Sequence, residues 1–154
     1  MVKRLDKPKI SWHVLEEIQN NEYEYMQCKT YNEEGSYTPG EVISKSLQVW
    51  NNCNGNKAVQ DAKDCKLVIS FKHFEDNILL HLIKVKVDER EEVPLSIDVD
   101  RGFVDIGTIY GDANNGSSLN SSNYKTLVIK IGPIPENIKS ELKSMYFYLE
   151  YSPN

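Results

Sequence analysis

Side chains that ionise, coordinate or stack are where any chemistry would begin, and four groups of them stand out. Asp98, Asp100 and Asp105 offer oxygen ligands, because aspartates two residues apart on a strand project from one face. A bend at Gly102 would bring Asp105 toward them, with Asp112 beyond, an oxygen-rich set suited to calcium. The acid and glycine spacing departs from that of helix-loop-helix calcium loops. The same carboxylates, with Arg101 alongside, also describe the solvent face of a half-buried strand. Cys53, Cys65, His73 and His81 are too widely spaced for the short ligand pairs of structural zinc sites. No resident metal or cofactor is therefore expected.

The carboxylate pairs Glu75-Asp76 and Glu91-Glu92 are of the residue type that hydrolyses glycosides. Adjacent residues on a strand point in opposite directions, so neither pair makes a site alone. The chain has no Gly-x-Ser-x-Gly elbow, phosphate loop, dinucleotide fingerprint or paired-histidine zinc helix. The expectation is a protein that is not an enzyme. Aromatic residues remain: among nine tyrosines and two tryptophans, Trp50, Tyr146 and Tyr148 fall near strand centres or ends. Such rings build stacking platforms for sugars or anchors for protein interfaces. Trp50 has a second reading, as a plug at one end of a sandwich.

The elements that must hold these residues follow a period of two, not 3.6. Ile43, Leu47 and Val49 alternate with Ser44, Ser46 and Gln48, with Lys45 interrupting the apolar face. Leu67, Ile69 and Phe71 make a second strand. A run from Leu80 to Val87 is apolar on both faces at its start and predicts a central strand. Leu95, Ile97 and Val99 share a face, Lys125 to Ile131 is a strand ended by Gly132-Pro133, and Met145 to Tyr151 alternates cleanly. Phe74 to Asn77 predicts a tight connection or one helical turn, and Ile134 to Lys143 either a short helix or a crossover. Residues 10 to 38 leave helix and strand both open.

Short strands separated by turn signals predict an all-β fold, a single antiparallel β-sandwich of immunoglobulin-like or jelly-roll type with at most one or two short helical turns. The expected organisation is a basic arm at 1–9 and one sandwich domain at 10–154 with a flexible polar loop at 111–123. A chain of 154 residues with 40% hydrophobic residues can bury an adequate core unaided. Its apolar runs are far short of a membrane span, and no secretory signal opens it. Net charge −5 disfavours nucleic acid as a partner, although the arm carries Lys3, Arg4, Lys7 and Lys9 against Asp6. Three cysteines, Cys28, Cys53 and Cys65, suit a reducing compartment and predict no disulfide.

The segments GEVISKSLQVWNN, Asp61-Ala62-Lys63, KLVISFKHFEDNILL and IGPIPENIKSELKSMYFYLEY together resemble small β-sandwich structural proteins of phages and phage-tail-like particles from clostridial-type bacteria. The resemblance implies a head decoration, neck, tail or baseplate component, made in the bacterial cytoplasm and assembled through protein partners or with itself. It carries over no functional residue. The alternative expectation is a carbohydrate-binding β-sandwich that stacks glycans on Trp50, Tyr146 or Tyr148, with calcium at Asp98, Asp100 and Asp105.

Overall fold

The computed structural model describes residues 5–15, 23–26, 30–36, 38–115, 121–137 and 142–153. Among the described residues eleven strands form two antiparallel sheets, and the all-β sandwich expected from the sequence is what the chain folds into. In chain order they are β1 (Ile10–Leu15), β2 (Tyr23–Met26), β3 (Thr30–Ser36), β4 (Ile43–Asn51), β5 (Ala62–Phe71), β6 (Ile83–Val87), β7 (Val93–Pro94), β8 (Ser96–Asp98), β9 (Arg101–Ile109), β10 (Tyr124–Ile131) and β11 (Leu142–Pro153). The first sheet has the order β2-β1-β4-β10-β6-β7 and the second β3-β11-β5-β9-β8. Successive strands mostly change sheet, so the chain crosses the core repeatedly between the two layers.

The period-two pattern explains why the two sheets adhere. Trp12 pairs with Val49 and Leu47 with Leu127 across the first sheet; Leu67 pairs with Leu149 and Ile69 with Phe147 across the second. All are buried in one core. Burying each such side chain stabilises the fold by roughly 1.5–3 kcal/mol relative to leaving it exposed. Alternation sends the intervening residues outward, so each sheet has an outer face: Ser11, His13, Gln48, Trp50 and Tyr124 on the first, Lys66, Val68, Phe103, Tyr146 and Tyr148 on the second.

Three local expectations give way. Leu80 and Leu82 do not open a strand; they belong to a 3₁₀ segment, Phe74–Leu82, that packs Leu79 and Leu80 into the core. The strand that follows begins at Ile83 and buries only Ile83, Val85 and Val87, leaving Lys84 and Lys86 outward. It lies next to two-residue β7 at the sheet's edge and is not central. The chain also turns at Val99-Asp100, not at Gly102. Gly102 sits inside β9 against Leu95, whose Cδ1 would lie 2.5 Å from a Cβ there. Val99 leaves the face it was expected to share with Leu95 and Ile97 and is exposed. Among the described residues of 134–143 there is no helix; residues 138–141 lie outside them. Residues 10 to 38 contain β1, β2 and β3, so the strand reading holds for their described parts, while residues 16–22 and Cys28 lie outside the described residues.

Candidate functional site

The outer face of the second sheet assembles the most chemically varied surface among the described residues. Tyr146 and Tyr148 alternate with buried Met145, Phe147 and Leu149 along β11, so both rings emerge on the solvent side. Val68 of β5 lies between Tyr148 and Phe103 of β9 in one row. The next row joins Glu150, Lys66 and Asp105. Tyr146, Tyr148 and Phe103 are all half-buried.

Arg101 organises this face. Its Nη1 donates to the Tyr148 hydroxyl at 3.0 Å and to the Glu150 carboxylate. The Tyr148 hydroxyl, and then Glu150, push the Arg101 guanidinium further up from its already high range, so it stays cationic. The Lys66 ammonium lies 5.1 Å from the Phe103 ring centroid, within cation–π reach. The result is aromatic area flanked by fixed donors and acceptors. Arg101 and Phe103 carried no signal as partners of the tyrosines until the register of β9 against β5 was known. Tyr148 and Glu150, two apart on a strand, were legible as sharing a face.

Trp50 is elsewhere. It lies on the outer face of the first sheet yet is only 5% exposed. Tyr124 stacks on it at 4.5 Å, the His13 ring is 5.7 Å away, and its Nε1 donates to Gln48 Oε1 at 3.0 Å. It neither plugs the end of the sandwich nor joins Tyr146 and Tyr148 in one site. Beside it Ser11 Oγ and His13 Nε2 are 3.2 Å apart, both residues buried, and burial lowers the His13 pKa. A serine and histidine on alternate strand positions have nucleophile-and-base geometry, but the pair is closed off beneath the stacked rings.

The proposed calcium ligands separate. Asp98 ends β8, Asp100 follows Val99 in the turn, and Asp105 sits midway along β9 opposite Lys66. No group of three His, Cys, Asp or Glu side chains placed to hold a metal occurs among the described residues. Cys53 and Cys65 are free; burial raises both thiols, that of Cys65 to about 11, so neither is a ready nucleophile.

One end of the sandwich is instead held by asparagines. Asn52 Nδ2 lies 2.8, 3.0 and 3.2 Å from the carbonyls of Lys57, Gly111 and Asp112; Asn123 Nδ2 lies 2.8 Å from Asp112 O and 3.1 Å from Tyr110 O. Asn51 accepts from Lys9 N and donates to Ile109 O. Asn114 accepts from Asn54 N. These carboxamides satisfy carbonyls that loop backbone would otherwise bury unpaired, and they fix residues 5–9, the 51–60 turn and the described ends of the 111–123 loop to one another. Residues 1–4 and 116–120 lie outside the described residues. The asparagine-rich NNCNGN and GDANN runs marked turns but not this pairing between them.

No helix among the described residues is long and apolar enough to cross a membrane. No family model matches the chain, and no curated protein does. Among solved structures the chain is similar to AvmM, which catalyses macrocyclization in alchivemycin A biosynthesis, with 17% identity, 77% of this chain and 72% of that one covered, and a TM-score of 0.36. It is also similar to a family two carbohydrate esterase from Cellvibrio japonicus, with 8% identity over 80% of this chain and 35% of the esterase chain, at a TM-score of 0.27. Both scores are too low to transfer a fold or an activity.

Proposed function

We propose that the chain is a non-enzymatic assembly protein that acts through protein contacts on the outer face of its second sheet. In this reading it is a component of a phage or phage-like particle, a head decoration, neck, tail or baseplate part, and it assembles in the bacterial cytoplasm where it is made. The observation that carries the contact surface is the open patch of Tyr146, Tyr148 and Phe103 around Arg101. Tyrosine and arginine are the side chains that most often anchor protein interfaces, and rings already fixed by neighbours lose little freedom on docking. The test is sedimentation of the full chain, alone and mixed with each structural protein encoded beside its gene. A complex weakened at least about tenfold by Tyr148→Ala supports the reading. A strict monomer with no affinity for any of those proteins overturns it.

A second reading, a carbohydrate-binding sandwich, draws on the same face, where aromatic rings adjoin the hydrogen-bonding groups of Arg101 and Glu150. Tyrosine fluorescence titrated with a glycan panel, with and without calcium, tests it. No change in fluorescence, together with no rise in melting temperature on adding calcium, removes both the glycan and the calcium at Asp98 and Asp100.

A further inference from the structure

The β8–β9 hairpin ends in a two-residue turn, and the first of those residues is Val99 at φ 51°. Hairpin turns that need a positive φ at this position are filled by glycine, asparagine or aspartate; a β-branched side chain there is an outlier. Val99 is also 84% exposed, so its methyl groups gain no burial within the chain that holds them in this conformation. Exposed Asp98 and Asp100 flank it and make no ion pair among the described residues. Arg101, the nearest cation in sequence, is turned away to Tyr148 and Glu150. The turn is thus an apolar tip between two free carboxylates.

The outer face of the first sheet offers the complement. Lys84 and Lys86 project from β6, and Lys86 pairs across the sheet with half-buried Val128, Lys84 with Lys130. Lys130 is engaged by Glu92 at 3.8 Å, whereas Lys84 and Lys86, both exposed, make no ion pair among the described residues. Pro94 of β7 borders Lys84. Val128 on one side of β6 and Pro94 on the other thus flank two ammonium groups that make no ion pair among the described residues.

We infer that these two surfaces bind each other between copies of this chain, Val99 seating on Val128 while Asp98 and Asp100 meet Lys84 and Lys86. β8 is an edge strand and β6 lies one strand from the edge of the other sheet; the assembly proposed is a dimer in which two copies related by a two-fold axis make this contact twice. The inference rests on the reading of the chain as an assembly protein. It uses none of the Tyr146, Tyr148 and Phe103 rings, but Asp98 pairs directly with Arg101 of that patch, so the variant that fails separately from the tyrosine variants is Lys84→Glu with Lys86→Glu on the other sheet.

The test is sedimentation velocity of the full chain across a range of concentration and salt, with melting temperature followed in parallel. The wild type is expected to populate a dimer that salt weakens, since the contact is ionic at its rim. Asp98→Lys with Asp100→Lys, and separately Lys84→Glu with Lys86→Glu, each weaken it at least about tenfold. The chain carrying all four substitutions regains it, because the charges are again opposite. Val99→Gly raises the melting temperature, as glycine relieves the left-handed strain, and weakens the dimer. A monomer at every concentration, a dimer indifferent to both charge reversals, failure of the combined variant to reassociate, or a Val99→Gly chain that melts lower each overturns the proposal.

Discussion

The two outer faces of the sandwich use the same kinds of side chain to opposite ends. On the first sheet Trp50, Tyr124 and His13 turn inward on one another, with Gln48 satisfying the indole nitrogen. On the second, Tyr146, Tyr148 and Phe103 lie apart along two rows, with Arg101 holding the Tyr148 hydroxyl and Lys66 lying over the Phe103 ring. The difference is one of spacing across strands. Trp50 and Tyr124 are directly paired, close enough to stack, whereas Tyr148 and Phe103 are separated by Val68 of β5. Directly paired rings consume each other's faces, and separated rings leave them to solvent. Aromatic content alone therefore does not mark a binding surface; the register decides.

The sharpest way to break this comparison is to truncate one ring on each face. Trp50→Ala removes a buried indole and is expected to cost about 3–5 kcal/mol, the range for large aromatic truncation in a packed setting. Tyr146→Ala, on the open face, is expected to cost about 1 kcal/mol or less, since surface substitutions usually have small effects. Urea unfolding of both variants measures the difference. If the two losses are equal, the faces are not distinct in the way their exposure indicates.

A second contrast is in pH dependence. His13 is buried beside Trp50, and burial lowers its pKa below the ordinary 6.5. The unfolded chain therefore takes up a proton at higher pH than the folded one. By linkage the stability His13 supports is present above about pH 6.5 and is lost as pH falls below that value toward the lowered folded pKa. Unfolding midpoints between pH 8 and pH 5 should fall in the wild type, and the fall relative to His13→Gln isolates the histidine. Equal slopes in wild type and variant would show that His13 is not the group responsible.

Much of this architecture was legible in the sequence. The alternation in Leu67, Ile69 and Phe71, and in Met145, Phe147 and Leu149, gave strands and their inward faces because a half-buried sheet forces a period of two. Leu80 and Leu82 mislead because a short apolar run fits a doubly buried strand as well as a 3₁₀ turn that packs on the core. The turn at Val99 was hidden because it lacks the glycine that usually signals one, and Gly102 nearby carried that signal falsely. The sites were less legible than the fold. Tyr146 and Tyr148 announced their shared face by spacing, but Phe103 and Arg101 join them only through the pairing of β9 with β5, which brings Arg101 to Tyr148 from 47 positions away in the chain. Trp50 reads as a stacking platform or as an end plug because nothing local shows that Tyr124 will lie across from it.

The smallest expected effect tests the other half of the comparison. Tyr148→Phe deletes one hydroxyl that accepts from Arg101 and leaves the ring, the Glu150 carboxylate and the core beneath unchanged. Because exposed ion pairs and their hydrogen bonds contribute little to stability, the melting temperature should stay within about 2 °C of the wild type. Arg101 then has only Glu150 to hold it over the tyrosines, so its guanidinium samples more orientations and a partner that needs it fixed binds less tightly. A melting temperature that falls as far as in Trp50→Ala would mean that the Arg101 bridge supports the fold itself, and that the rings of the second face, like the Trp50–Tyr124 cluster of the first, are structural. A preserved melting temperature with weakened partner binding places Tyr148 and Arg101 in a surface whose order serves recognition, because the stability of the sandwich does not depend on it.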